Sequence, residues 1–109
     1  MASFDDREKS FERKFALDAE LQFKATARRN KLLGLWAAEK MGLSGDDAQA
    51  YAREVVKADL EEPGEEDVYR KIRADFDAKG VEQSEHQIRR ALADFLVEAV
   101  RQIEAEAKG

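Results

Sequence analysis

Two groups of residues in this chain have types and spacings suited to chemistry: a run of cations and a spaced set of phenylalanines. Arg28, Arg29, Asn30 and Lys31 are consecutive, and guanidinium and ammonium groups bind phosphate oxygens through charge-assisted hydrogen bonds. Arg28, Arg29 and Lys31 are therefore candidates for holding ATP or ADP. The competing reading is that these residues surround a helix and are solvated or paired with acids of neighbouring helices. Phe4, Phe11 and Phe15 stand among Asp5, Asp6, Arg7, Glu8, Lys9, Glu12, Arg13 and Lys14, a pattern of apolar anchors inside a polar rim that suits docking on another protein.

Catalysis needs a nucleophile or metal, a base of suitable pKa and groups that orient them, and the chain is poor in all three. It has no cysteine, so disulfides, thiolate chemistry and cysteine-ligated metals are excluded. Its single histidine, His86, falls at the start of a helical segment and cannot build a metal site alone. The carboxylates lack the spacing of a calcium loop, and the six glycines are scattered, with neither GxxxxGK nor GxGxxG present. No catalytic residue, no metal site and no required cofactor are expected. The acidic run Glu61, Glu62, Glu65, Glu66, Asp67 brackets a Pro-Gly turn and reads as a solvated cluster favouring the start of the next helix.

The elements that must position these residues are helical. The 109 residues are 39% charged and 43% apolar with one proline, the balance of an all-α chain with one modest core. A net charge of −5 argues against a general nucleic-acid binder, since phosphate backbones reward a basic footprint. The distribution is uneven: residues 21–41 hold five bases against one acid, and residues 42–67 nine acids against two bases. Neither a secretory nor a transit pattern opens the chain, and no stretch approaches the roughly 20 apolar residues of a membrane span. A cytoplasmic location and no membrane insertion are expected.

Four segments show helical spacing. The clearest carries Ile88, Leu92, Phe95, Leu96, Ala99, Val100 and Ile103, opened by Ser84 and Gln87 as a capping box. Before it, Val68, Tyr69, Ile72 and Phe76 form a stripe closed by Gly80. Ala48, Tyr51, Ala52, Val55, Val56 and Leu60 form another, broken by Pro63 and Gly64. The first and longest helix carries Leu21, Ala25, Leu32, Leu35 and Trp36, with Trp36 read as core. Gly42 terminates it, and Gly34 sits inside it at a cost of about 1 kcal/mol relative to Ala. Short connections favour antiparallel neighbours. The expected fold is a four-helix bundle, helices at about 19–41, 45–61, 65–79 and 85–107, in a domain of residues 19–109.

Residues 1–18 behave differently. Drawn on a helix, Phe4, Phe11 and Phe15 form a stripe about 40° wide, rotated by roughly 100° from the stripe of Leu17, Leu21 and Ala25. One flat core cannot receive both faces. Either the arm wraps around the bundle or it is a flexible, mobile segment that folds against a partner. Burying three phenylalanines contributes about 5–9 kcal/mol gross, enough for a regulated interface once ordering of the arm is subtracted.

The blocks FDDREKSFERKF (4–15), ELQFKATARRNKLLGLWAAEKMGL (20–43) and HQIRRAL (86–92) resemble the family of small alphaproteobacterial proteins that contains the zeta subunit of the F-type ATP synthase. The resemblance covers nearly the whole chain in the same order. It implies a four-helix bundle whose flexible N-terminal arm becomes helical on entering a catalytic interface between the α and β subunits of the ATP synthase head, stopping hydrolytic rotation; a monomer is expected. Carried over by residue, the arm is Phe4, Asp5, Asp6, Arg7, Glu8, Lys9, Phe11, Glu12, Lys14 and Phe15. The alternative is a small adenine-nucleotide-binding sensor or an adaptor without strong inhibitory activity.

Overall fold

The computed structural model describes residues 19–61 and 64–108. They form four helices and, among the described residues, no strand: α1 (Ala19–Lys40), α2 (Gly45–Glu61), α3 (Glu65–Lys79) and α4 (Glu85–Lys108). The all-α architecture agrees with the apolar spacing. The expected flexible arm, residues 1–18, lies outside the described residues.

Glycines and a capping box set several of the boundaries. At the end of α1, Gly42 adopts φ 80°, Leu43 N–H donates to the Ala38 carbonyl at 2.8 Å and Gly42 N–H donates to that of Glu39 at 3.1 Å. This pair of bonds is the Schellman arrangement, which satisfies carbonyls the helix leaves open. Gly80 (φ 71°) does the same for α3, with Val81 N–H donating to the Phe76 carbonyl at 2.9 Å. At the start of α4 the capping box forms: Gln87 N–H donates to Ser84 Oγ at 3.1 Å and Ser84 N–H donates to Gln87 Oε1 at 2.8 Å.

The main core joins Leu33, Ala37 and Ala38 of α1 to Tyr51 and Val55, to Val68, Tyr69, Ile72 and Phe76, and to Ile88 and Leu92. Trp36 packs on its edge, its ring 5.8 Å from Phe76 and 6.5 Å from Phe95 between centroids. A smaller cluster of Ala25, Val100 and Ile103, flanked by Leu21 and Leu96, ties the first half of α1 to the end of α4. Gly34 has a packing reason to be small: a Cβ there would lie 2.7 Å from the Ala52 Cα, so α1 and α2 meet nearly backbone to backbone.

The stripe of α3 is buried throughout and that of α4 is buried except for the half-buried Phe95 and Leu96, whereas α1 differs from expectation. Its buried residues are Ala25, Arg29, Asn30, Leu33, Gly34, Ala37 and Ala38, and Leu32 and Leu35 are only half-buried. The reason is that α1 packs against both α2 and α4, so its buried arc is wider than one stripe and draws in polar positions. Leu60, expected on the inner face of α2, is 57% exposed.

Tyr69 carries the Arg89 guanidinium 4.2 Å from its ring centroid, and Arg89 also donates to Glu66 at 3.0 Å and to Glu85 at 2.8 Å. That cluster fastens the start of α4 to the start of α3. The Arg89 hydrogen bonds hold the Glu66 carboxyl below the usual carboxylate range. Between α2 and α3, the Tyr51 hydroxyl donates to Asp75 at 2.6 Å. Burial, then this bond to a carboxylate, pushes the phenol well above its ordinary pKa.

Candidate functional site

The cationic run divides as α1 turns, because successive residues differ by about 100° around a helix. Arg28 reaches α4, donating to Gln102 Oε1 at 2.8 Å and to both Glu106 oxygens at 2.8 and 3.1 Å. The bidentate bond to Glu106 raises the Arg28 pKa and lowers that of Glu106. Arg29 points inward and is 8% exposed. Its Nε and Nη2 donate to Asn30 Oδ1 at 3.1 and 3.0 Å. Burial lowers the Arg29 pKa, opposed by the fields of Asp59 and Glu65. Asn30 is fully buried, and its Nδ2 has no hydrogen-bond partner.

Lys31 is exposed and makes no ion pair among the described residues. Thus the three nucleotide-binding candidates are placed differently: Arg28, paired with Glu106, and the exposed Lys31 line one groove, whereas Arg29 is buried. The basic and acidic blocks meet only in part, since Arg28 finds its acid on α4 and Arg29 alone feels acids flanking the α2–α3 connection. The phenylalanine arm, from Phe4 through Asp5, Asp6, Arg7, Glu8, Lys9, Phe11, Glu12 and Lys14 to Phe15, lies outside the described residues.

The structure exposes a surface that periodicity did not single out. Phe23, Lys24, Ala27, Arg28 and Lys31 of α1, with Val56 of α2 and Ile103, Glu106 and Ala107 of α4, line a shallow groove of about 560 Å³. A second hollow of about 230 Å³ adjoins it, sharing Lys31 and Val56 and extending over Ala52, Arg53, Lys57 and Leu60. Phe23 is 61% exposed. The signal available in the sequence was its position outside the Leu21–Ala25 stripe. His86 is exposed in the first turn of α4. No cluster of acids and histidine able to hold a metal occurs among the described residues, and no described helix is long and apolar enough to cross a membrane.

The fold and this surface define a small all-α protein with an apolar, cation-edged groove. A profile described as "ATPase inhibitor subunit zeta" matches residues 1–102, so the chain belongs to that family of inhibitor subunits. A protein solved by solution NMR is 52% identical, the match covering 79% of this chain and 98% of that one, with a TM-score of 0.70. None of the curated proteins compared matches the chain.

Proposed function

We propose that this chain inhibits ATP hydrolysis by the F-type ATP synthase, its N-terminal arm entering a catalytic interface between α and β subunits of the head as a helix. The observation that carries the reading is the reach of the family match. It begins at residue 1 and includes the whole arm, the segment whose phenylalanine stripe is out of register with the bundle. The helices then serve as a folded body that presents the arm. Phe4, Phe11 and Phe15 are the apolar anchors, and Asp5, Asp6, Arg7, Glu8, Lys9, Glu12 and Lys14 form the rim that fixes orientation. The partner places the protein at the cytoplasmic head of the membrane-bound enzyme, as a monomer.

The test is to add a variant with Phe4, Phe11 and Phe15 all replaced by Ser to the cognate ATP synthase head. Loss of inhibition with an unchanged helical spectrum is expected. Full inhibition by the variant contradicts the anchor assignment. The nucleotide-sensor alternative keeps Arg28 and Lys31 as its phosphate contacts, since Arg29 is buried. Titrating ATP while following amide shifts decides it, and silence at millimolar ATP removes it.

A further inference from the structure

We propose that the face shared by α1 and α2, around Lys31 and Arg53, is a second contact surface of the folded body, and that its occupant is an acidic amphipathic helix on the surface of the ATP synthase head. The proposal rests on the reading of the chain as an inhibitor of that enzyme, and adds how the bundle itself holds on to it.

The exposed large hydrophobics among the described residues are Phe23, Leu60 and Val97. Two of them border the adjoining hollows, Phe23 the larger and Leu60 the smaller. An exposed aromatic beside a shallow apolar hollow has the composition of an interface anchor. Val97 lines neither hollow.

The charged residues lining the two hollows are Lys24, Arg28, Lys31, Arg53, Lys57 and Glu106, five cations and one acid in a chain whose net charge is −5. Part of this charge is already answered. Lys24 pairs with Glu20 at 3.1 Å, Arg28 with Glu106 at 2.8 Å, and Lys57 is engaged elsewhere in the chain. Lys31 and Arg53 are exposed and make no hydrogen bond or ion pair among the described residues. No acid stands within a turn of Lys31 along α1. On α2, Glu54 turns to the hollow beside Tyr51, Asp59 accepts from Gly64 N–H at 3.2 Å, and Asp46 lies two turns from Arg53. Lys31 and Arg53 therefore set the charge of the occupant, which is acidic. Two uncompensated cations are too few for an anionic membrane, which is read by clusters of about four to eight.

Spacing narrows the occupant further. α1 and α2 run antiparallel, with Gly34 against Ala52 and Lys31 beside Val56. Phe23 is eight residues from Lys31 and Leu60 seven from Arg53, about 11 Å along each helix. The face thus has an apolar end and a cationic end two turns apart. A helix laid along it needs a large apolar side chain at one position and an acid seven residues away. The apolar end also lies near the boundary of the folded body: α1 starts at Ala19, one turn or about 6 Å from Phe23. An enzyme that grips the chain just before Ala19 brings its own surface against Phe23.

The test is binding of the full chain to the cognate head, measured beside hydrolysis. Lys31→Glu with Arg53→Glu should slow association roughly tenfold at low salt and flatten its salt dependence. Phe23→Ser should speed dissociation several-fold instead. Lys79→Glu with Arg90→Glu makes the same charge change at exposed residues outside both hollows, and should leave binding unchanged. Unaltered binding by the Lys31→Glu, Arg53→Glu chain, an equal loss in the control pair, or no binding of the unsubstituted chain would each overturn the proposal. Self-association of the free chain that Lys31→Glu with Arg53→Glu abolishes would make the occupant a second copy, and would also overturn it. Binding that depends on Lys31 and Arg53 without inhibition of hydrolysis would support this surface and remove the inhibitor reading.

Discussion

The two halves of α1 are built for different purposes. From Leu33 to Ala38 the helix is pressed into the main core, with Gly34 against the Ala52 backbone and Trp36 against Phe76 and Phe95. From Ala19 to Lys31 it is anchored more lightly, by Ala25 on Val100 and Ile103 and by Arg28 on Glu106, while Phe23, Lys24 and Lys31 face outward. Stability is concentrated at the end of α1 far from the arm. Apolar and cationic surface is exposed at the other end, at Phe23, Lys24 and Lys31.

Substitutions in the first region should cost the most stability, and those at the outward-facing positions of the second should cost little. The largest effect is expected at Phe76, which is fully buried: Phe76→Ala should cost about 3–5 kcal/mol in denaturant unfolding, by lost transfer energy and a residual cavity. A cost below 1 kcal/mol would mean that the site collapses freely and the core is not where the contacts place it.

Next comes Gly34→Ala. Alanine gains about 1 kcal/mol in helix propensity, but its Cβ would meet the Ala52 Cα at 2.7 Å, and overpacking of this kind costs about 1–3 kcal/mol. Net destabilisation is expected, and stabilisation would show that α1 and α2 separate without penalty.

These positions also show what could be read from the sequence. The faces of α3 and α4, the glycine terminators and the Ser84–Gln87 box were legible because each depends on residues close in the chain. The face of α1 was only partly so. Its packing against two partners buries Arg29 and Asn30 and leaves Leu32 and Leu35 half-buried, and no single-stripe pattern encodes a helix contacted from two sides. The exposed groove depends on how the ends of α1, α2 and α4 come together in space. The phenylalanines of residues 4–15 are out of phase with the apolar stripe that follows, and they lie outside the described residues.

A smaller effect is expected from acid. The Glu66 and Glu106 carboxyls are held below their ordinary value of 4.5 by hydrogen bonds from Arg89 and Arg28. A depressed folded-state pKa contributes stability above the unfolded value, and that contribution is lost as pH falls through the folded one. The melting temperature should therefore decline below about pH 4.5, and Glu66→Gln with Glu106→Gln should flatten that decline. An unchanged acid slope would mean that the pairs do not persist in solution. The smallest stability effect is expected at Phe23→Ser, within about 0.5 kcal/mol of the parent. A larger loss would place Phe23 in the core rather than on the presenting surface.

The central claim is that the arm acts and the bundle presents it. The most direct measurement is ATP hydrolysis by the cognate ATP synthase head with the full chain beside one beginning at Ala19. Inhibition by the full chain alone, with both versions equally helical, is the predicted result. Equal inhibition by the shortened chain would contradict the account and move the effector surface onto the bundle.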